Sequence, residues 1–255
     1  MLDSSRRFSN RVENYLKYRP RYPAEIIPLL ERECGLTKES VIADIGSGTG
    51  FLTELFLQHG NVAYGVEPND EMRAAGEDLL DKFTTFHSIK GTAEGTTLAT
   101  RFVDFVIAGQ AFHWFNPPAA RAEFLRILKS HGWVILVWNT FRVQWNPVNR
   151  AYHELLVRYG TDYKTVGRDL DFSELQEFYA PGVCRFAKFT WDQSFDYPSF
   201  EGRLLSSSFV PLEGQPNYEE MLNELRRIFD SYQKSDVITF AYETQVYYGR
   251  LVSSY

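Results

Sequence analysis

Three glycines at alternate positions place the tightest constraint on what this chain can fold into. Gly46, Gly48 and Gly50 directly follow the short apolar run Val41–Ile45, and a helical pattern begins behind them. A short apolar run bounded by glycine is typical of a buried strand. Because glycine lacks a Cβ atom, its backbone can turn tightly and approach a ligand closely. The stretch therefore predicts a strand, a loop whose N–H groups face a polar or anionic ligand, and a helix.

Strands and helices alternate as far as Asn139. Strands are predicted at 41–45, 62–66, 83–89, 102–108 and 133–138, and helices at 24–34, 49–59, 69–80 and 116–129. Asn69 and Asn116 are predicted N-caps, and Pro117 suits a first helical turn. Strands that are apolar on both faces indicate a parallel sheet covered on both sides. We therefore expect a doubly wound α/β fold with its ligand at the carboxyl ends of the strands.

The pattern changes after Asn139. Residues 141–181 are mostly helical in pattern, 185–195 and 238–248 alternate as strands do, and 198–208 and 218–232 are again helical. Two further strands bring the expected sheet to seven. We expect this sheet to be mostly parallel, with a helical cover inserted after the fifth strand.

Composition narrows the class of protein. The net charge is -6 and Lys and Arg form no long block, which argues against a broad nucleic-acid-binding face. Cys34 and Cys184 form no CxxC motif and the histidines lack metal-ligand spacing, so no metal is expected. No run reaches the ~18 apolar residues of a membrane span, and the N-terminus does not resemble a signal peptide. We expect a cytoplasmic monomer or homodimer that acts on a small molecule, with neither nucleic-acid nor membrane partners.

Two classes of cofactor are bound by a glycine loop of this kind. A dinucleotide fold requires G-x-G-x-x-G, whose third glycine lets the helix pack closely on the strand. Phe51 occupies that position, and the third glycine comes one residue early. The stretch instead resembles motif I of the class I S-adenosylmethionine-dependent methyltransferases, an acidic residue followed by G-x-G-x-G. This resemblance implies that the methionine part of S-adenosyl-L-methionine is surrounded by Asp44, Gly46, Ser47, Gly48, Thr49 and Gly50.

The segments after the second and third strands fit the same resemblance. In the resembled family an acidic residue after the second strand takes both ribose hydroxyls, and Glu67 stands there, about 20 residues behind the glycine loop. A carboxylate suits this role because its two oxygens can accept hydrogen bonds from a cis-diol. The segment Gly91–Glu94 resembles the one that borders the adenine ring. The implied cofactor contacts here are Glu67, Pro68, Met72, Thr92, Ala93 and Glu94.

The fourth-strand region narrows the resemblance further. Residues 108–115, AGQAFHWF, resemble the type 11-like small-molecule group, whose members end this strand with A-x-H-W or A-x-Q-W. The order of motifs is also similar to that of the trans-aconitate methyltransferases. The resemblance covers residues 15–139 well and the remainder only loosely. It implies that Gln110 and Ala111 lie beside the cofactor, and that Trp114, Trp138 and Asn139 lie on the substrate side.

The N-terminal segment also fits. Residues 15–23 resemble a Y-x-x-x-R-P-x-Y-P lid, which implies that Tyr15 and Arg19 approach the carboxylate or sulfonium end of the cofactor. A cation held against an aromatic face is physically reasonable. We expect a single methyltransferase domain over 1–255. Its expected parts are lid helices in 1–35, a cofactor-binding core in 36–139, and cover segments in 140–182 and 198–235.

Two motifs that suggest other chemistry have simpler explanations. Asn116-Pro117-Pro118 resembles the N-P-P-[YF] motif of amino-group methyltransferases. It lies several residues too far along, however, and Ala119 replaces the aromatic residue, so a helix start explains it. His113 is the candidate catalytic base, because histidine suits proton removal near neutral pH. Similar proteins carry Gln at this place and Gln cannot accept a proton, so a structural or substrate-binding role is the stronger hypothesis.

The expected reaction is a direct in-line displacement, in which orientation alone can supply ~7–11 kcal/mol of barrier reduction. A carboxylate acceptor is already ionised, whereas a hydroxyl or amine needs a proton acceptor that the sequence does not clearly offer. A small carboxylate is therefore mildly favoured. Arg142, Arg150 and Arg168 could pair with it or lie in solvent. Two alternatives stay open, namely a cofactor-binding protein without turnover and a nicotinamide-dependent oxidoreductase.

Overall fold

The computed structural model describes residues 12–161, 163 and 172–252. Its strands are β1 Val41–Ile45, β2 Val62–Val66, β3 Phe86–Ile89, β4 Val103–Gly109, β5 Leu128–Phe141, β6 Arg185–Phe195 and β7 Ile238–Gly249. Its helices are α1 Val12–Tyr18, α2 Ile26–Cys34, α3 Phe51–His59, α4 Asp70–Leu80, α5 Pro117–Ile127, α6 Pro147–Tyr159, α7 Phe172–Tyr179, α8 Tyr197–Leu205 and α9 Tyr218–Tyr232. The predicted N-caps are confirmed, because the Asn69 and Asn116 side chains accept from the Met72 and Ala119 amides.

The seven strands form one sheet in the order β3-β2-β1-β4-β5-β7-β6. The expectation of a mostly parallel sheet is wrong: the sheet is mixed, because β7 runs antiparallel to both β5 and β6. The strand–helix alternation that indicated parallel pairing ends at Asn139, and alternation within β6 and β7 carries no information on their direction.

The order of the strands fixes where a ligand can bind. β1 lies between β2 and β4, so the chain leaves β1 toward one edge of the sheet and later returns on the other side. Such a reversal opens a crevice at the carboxyl ends of the two central strands. The glycine loop follows β1, and Gln110 and Ala111 follow β4, so both segments meet at this crevice.

Each face of the sheet is covered by helices. Apolar side chains of α2, α3 and α4 pack on one face, against Ile42, Phe105 and Ile135 among others. The opposite face is covered by α5 and α7, with Phe124, Phe178 and Tyr179 in its core. The Tyr179 hydroxyl donates to the Val134 carbonyl at 3.1 Å. Helix α7 therefore packs on the sheet, although it falls within the predicted cover segment 140–182.

A third apolar cluster lies beyond the sheet faces. It joins α6, α8 and α9 to the first half of β7, through Tyr152, Phe200, Met221, Phe240 and Tyr242. Helices α8 and α9 follow β6, so the helices of this cluster are not confined to the stretch after β5. Of the helices described in the predicted lid, α1 contacts α8, whereas α2 is buried against the sheet.

Candidate active site

The glycine loop has a backbone that a larger residue would distort. Gly46 and Gly48 have φ of 70° and 56°, in the left-handed region that favours glycine. A methyl group at Gly46 would lie 2.7 Å from the Ala111 Cβ, whereas one at Gly48 would meet only the end of the Met72 side chain at 3.4 Å. Glycine is therefore required at position 46 because the loops after β1 and β4 approach closely there. At position 48 it is required because the backbone turns with a positive φ.

Asp44 is the penultimate residue of β1, beneath this loop. Its side chain is 1% exposed. Its Oδ2 accepts a hydrogen bond from Thr53 Oγ1 at 2.6 Å, while Oδ1 is buried without a hydrogen-bond partner in the described part of the chain. Burial raises the pKa of the Asp44 carboxyl to about 7, against the opposing hydrogen bond from Thr53. An orphaned buried acceptor that faces a cavity indicates a site for a donor from a ligand.

Glu67 connects the glycine loop to the start of α4. One carboxylate oxygen accepts from the Gly48 N–H at 2.9 Å, and the other accepts from the Asn69 N–H at 2.8 Å. The residue is 8% exposed, and burial raises the pKa of its carboxyl. Each oxygen still has a lone pair. The carboxylate can therefore hold the loop and accept hydrogen bonds from a ligand at the same time.

A cavity of about 570 Å³ opens over the crevice. Its volume lies within the range of ~300–1,000 Å³ common for small-molecule sites. Among the residues predicted to bind the cofactor or the substrate, the following line it: Tyr15, Arg19, Asp44, Gly46, Ser47, Gly48, Thr49, Glu67, Pro68, Met72, Thr92, Ala93, Glu94, Gln110, Ala111, His113, Trp114, Trp138 and Asn139. Gly50 does not line it, because it caps α3 and packs against Leu80.

A network of hydrogen bonds holds the rim of the cavity at the tips of β4 and β5. Gln110 has a φ of 56°, which is uncommon for a residue with a side chain. Its side-chain amide donates to the Asn139 carbonyl at 2.8 Å. The Asn139 side chain accepts from Thr244 Oγ1 at 2.6 Å and donates to the Arg21 carbonyl at 3.2 Å. Asn139 therefore joins the N-terminal segment to β5 and β7 as well as facing the cavity.

Two other predicted residues have local partners. The exposed His113 packs against Trp114 and Trp138, with ring centres 4.5 and 5.4 Å away. Glu94 accepts a hydrogen bond from the Asn116 N–H at 2.8 Å. Asn116 in turn caps α5, as the helix-start interpretation of this motif predicts.

For the acceptor, the sequence pointed to arginines other than the one that α8 brings to the cavity. Arg142 pairs with the buried Glu243, and Arg150 is exposed on α6. Arg168 lies outside the described residues. Arg203 of α8 lines the cavity and is 6% exposed. A signal was present in the sequence, because Arg203 lies three residues from Phe200 and beside Leu204 on the apolar face of a predicted helix.

Two features are absent from the part of the chain that the structure describes. No group of three or more His, Cys, Asp or Glu side chains could hold a metal ion. None of the described helices has the length and apolar character needed to cross a membrane.

Known proteins share both the sequence and the fold of this chain. The model of a family described as a methyltransferase domain matches residues 43–136, which include the glycine loop. An uncharacterized methyltransferase-like protein of Schizosaccharomyces pombe is 28% identical over 244 residues, 94% of this chain and 93% of that one. An uncharacterized methyltransferase of Mycobacterium bovis is 35% identical over 138 residues, which are 54% of each chain.

The fold is likewise shared with solved structures. A protein of Anaeromyxobacter dehalogenans described as a type II methyltransferase superimposes with a TM-score of 0.70 at 20% identity, over 93% of this chain and 100% of that one. This likeness shows a Rossmann-like α/β fold. The matched domain and the relatives, in turn, define the class of protein: the chain is a methyltransferase. More particularly, it is an S-adenosyl-L-methionine-dependent methyltransferase.

The residues of the cavity fit this cofactor. A glycine loop with room for a ligand, an orphaned carboxylate oxygen on Asp44 and a doubly anchored carboxylate on Glu67 meet in one crevice. These groups suit a ligand that has hydroxyl and ammonium donors. When bound, S-adenosyl-L-methionine supplies an electrophilic methyl group on a sulfonium centre.

Proposed function

We propose that this enzyme transfers the methyl group to a small-molecule acceptor, and that the accepting atom is a carboxylate oxygen. The observation that carries the proposal is the single cavity that runs from Glu67 and Glu94, past the glycine loop, to Arg203 and Tyr242. A space of this shape can hold a nucleoside at one end and a second molecule at the other.

Distinct roles follow for the residues of the first half of the cavity. Glu67 is proposed to accept from the ribose hydroxyls, and Thr92, Ala93 and Glu94 to border the adenine. The glycine loop and the free Asp44 oxygen are proposed to hold the methionine part, with Gln110 and Ala111 beside it. Tyr15 and Arg19 would close over this part from α1, since the Arg19 guanidinium lies 5.2 Å from the Tyr15 ring centre. These roles also agree with the resemblance to the class I enzymes.

The second half of the cavity is proposed to bind the acceptor. Trp114, Trp138 and Asn139 provide its rim, and α6, α8 and α9 would form its cover. The walls exclude water and orient the acceptor, and orientation of this kind can supply about 7–11 kcal/mol. A carboxylate needs no base, which agrees with the position of His113 against two tryptophans. The resemblance to the trans-aconitate methyltransferases supports the same class of acceptor.

One observation favours a hydroxyl acceptor as the second candidate. His153 lines the cavity and its Nδ1 lies 3.0 Å from the Tyr163 hydroxyl, so its Nε2 could receive a proton. The two candidates differ in their response to the loss of this imidazole. A carboxylate acceptor gives rates unaffected by His153→Gln, whereas a hydroxyl acceptor gives rates that fall.

The proposal is tested by measuring transfer from methyl-labelled S-adenosyl-L-methionine to a panel of small carboxylates, alcohols and amines. A carboxylate product, a methyl ester, is identified by its release as methanol on mild base. Transfer only to a hydroxyl or amine would refute the carboxylate assignment. Binding without transfer to any member would favour the alternative of a cofactor-binding protein. The predicted small-molecule partner, absence of nucleic-acid partners, monomeric or dimeric state and cytoplasmic location stay predictions.

A matched pair of glycine variants tests the place of the cofactor. Gly48→Ala puts a methyl group into the loop at a φ of 56°, while Gly214→Ala imposes a similar strain at a φ of 81° with no atom within 4 Å. Both should lose about 1–2 kcal/mol of stability. Only Gly48→Ala should weaken cofactor binding by calorimetry. Equal cofactor affinity in the two variants would show that the cofactor does not bind at the loop.

A further inference from the structure

Two arginine side chains, Arg19 and Arg203, line the cavity, and neither is hydrogen-bonded to a carboxylate within the residues that the structure describes. Arg203 donates from Nε to the Tyr242 hydroxyl at 3.2 Å and from Nη1 to Ser207 Oγ at 3.4 Å. Arg19 donates from Nη2 to the Ser206 carbonyl at 3.1 Å, and its buried Nε has no partner. All of these acceptors are neutral. Across residues 12–161, 163 and 172–252, neither guanidinium forms a salt bridge.

The two cations also oppose one another. Burial and the nearby charge of Arg203 lower the pKa of Arg19 to about 10, so both groups are still charged at neutral pH. A buried charge without a counter-ion costs several kcal/mol, and two like charges that share a cavity add to this cost. Apolar residues in their place would suit folding better. The arrangement therefore indicates that a negatively charged group binds in the cavity beside these arginines.

The positions of the two arginines along the cavity differ. Arg19 lies toward the glycine loop, because its neighbour Tyr15 packs with a ring distance of 5.7 Å against Phe51 at the start of α3. Arg203 is fixed to Tyr242, which pairs with Phe141. The tip of β4 pairs instead with Val137, four residues earlier on β5, which is about 13 Å away at 3.3 Å per residue. Arg203 therefore belongs to the acceptor end.

We propose that Arg203, with the hydroxyls of Tyr242 and Ser207, holds a carboxylate of the acceptor other than the one that receives the methyl group. This inference rests on the proposed function. A carboxylate gripped by a guanidinium has its oxygens engaged in hydrogen bonds and is a poor nucleophile. The reacting oxygen must be free and directed at the cofactor, so the acceptor carries at least two acidic groups. Arg203 is thus a specificity-determining residue.

The test uses two probes of equal size, glutarate and its monoamide glutaramate, which differ by one carboxylate. The protein is first saturated with S-adenosyl-L-homocysteine, so that the cofactor end is filled. Calorimetry at constant ionic strength should give a glutarate affinity at least about tenfold above that of glutaramate, since tenfold corresponds to one charge-assisted hydrogen bond. In Arg203→Gln the difference should fall below about twofold, and Arg203→Lys should restore part of it.

Two further variants distinguish a ligand-binding role of Arg203 from a purely structural one. Arg203→Met should melt no lower than the wild type, because it removes an uncompensated buried charge. Arg227→Gln, which removes an exposed arginine of α9, should leave both probe affinities unchanged. The melting result concerns the unliganded protein and does not depend on turnover.

Several results would overturn the proposal. These are equal affinity for the two probes, no glutarate binding, an unchanged preference in Arg203→Gln, or a tenfold loss of S-adenosyl-L-homocysteine affinity in that variant. The last result would assign the guanidinium to the carboxylate of the cofactor. Failure of the proposed function is a different observation, because it appears as absence of methyl transfer to every carboxylate of the panel, whereas the present test measures binding alone.

Discussion

Two buried carboxylates face the same crevice and differ in how they are held. Glu67 is anchored by two backbone N–H groups, whereas one oxygen of Asp44 has no partner in the part of the chain that is described. Hydrogen bonds to a carboxylate stabilise its charged form, and burial opposes it. Asp44 is therefore the carboxylate whose state depends most on pH and on the ligand.

Glu67→Ala is expected to lower the affinity for S-adenosyl-L-homocysteine by at least about tenfold, since a hydrogen bond to a charged group contributes about 1.5–3 kcal/mol. The loss has two sources, the proposed ribose contact and the anchor on Gly48. Glu71→Ala, which removes an exposed carboxylate from the next turn, serves as the matched control. Wild-type affinity in Glu67→Ala by calorimetry would remove the ribose assignment.

Asp44→Asn is expected to change the pH dependence of stability. The pKa of Asp44 rises from 3.8 to about 7 on folding, so the folded state binds the proton more tightly. The stability from this group is complete below about pH 4 and is lost as pH rises through 7. Between pH 5 and 8 the free energy of unfolding of the variant should therefore rise relative to that of the wild type, by a few kcal/mol at most.

Urea unfolding of the unliganded proteins between pH 5 and 8 measures this difference. The exposed Asp81→Asn provides the control, and its offset from the wild type should stay constant over the range. A constant offset for Asp44→Asn as well would show that its carboxyl does not change its proton between these pH values.

Much of the residue-level description of the site could be predicted from local sequence, and part could not. The glycine loop and Glu67 were placed by their spacing behind short strands, because tight turns need particular residues at particular positions. Arg203 was missed as a site residue, because its place on the apolar face of a predicted helix indicates burial but does not show that it lines the cavity. The hydrogen bonds of Asn139 to Arg21 and Thr244 were also beyond reach, since they join segments far apart in the chain.

At the scale of elements, helix α1 packs against α8 at Gly202. A methyl group at Gly202 would overlap the Tyr18 ring, so α1 is seated only because Gly202 lacks a side chain. Arg19 follows α1 directly and reaches the Ser206 carbonyl just after α8. The seating of α1 therefore decides whether Tyr15 and Arg19 face the cavity.

Gly202→Ala is expected to displace α1 and to lower S-adenosyl-L-homocysteine affinity by about tenfold, while most of the buried core is untouched. Tyr18→Ala removes the ring that would clash. In that background Gly202→Ala should have little further effect, so the two changes are strongly non-additive. Additive losses in the double-mutant cycle would show that Gly202 acts through something other than its contact with Tyr18.

The bounds of elements were predictable where capping residues mark them. Helix α4 begins behind its Asn69 cap, as its first turn indicates. Strand β5 was predicted at 133–138 but spans Leu128–Phe141. Its C-terminal extension comes from pairing with β7 as far as Phe141, opposite Tyr242, and at its N-terminal end Leu128 pairs with Val103 of β4. Pairing with a strand a hundred residues away leaves no local signal in the sequence. The extension toward Phe141 forms part of the wall of the acceptor end.

At the scale of the molecule, β7 joins the three apolar clusters. Phe240 and Tyr242 pack among α6, α8 and α9, Val246 lies on one sheet face, and Tyr247 lies on the other. The clusters share one strand, so none can separate without breaking its pairing. The Rossmann-like fold was predictable from the alternation of strands and helices, but the direction of β7 was not.

Unfolding is therefore expected to be a single transition, with tryptophan fluorescence and far-ultraviolet circular dichroism coincident. S-adenosyl-L-homocysteine at 100 times its dissociation constant should add about 2.7 kcal/mol, which raises the melting temperature by roughly 5–10 °C. The fluorescence and circular dichroism transitions should shift by the same amount. Separate transitions, with only one raised by the ligand, would show that the α6, α8 and α9 cluster folds on its own.

The hydrogen bond from the Gly48 N–H to the Glu67 carboxylate affects how fast the nucleoside binds. The loop is already fastened to the carboxylate that is proposed to receive the sugar, so its backbone has no rearrangement to make on arrival. In stopped-flow mixing, the observed rate for this step should climb in proportion to nucleoside concentration without reaching a plateau, and any slower phase would then report the movement of α1.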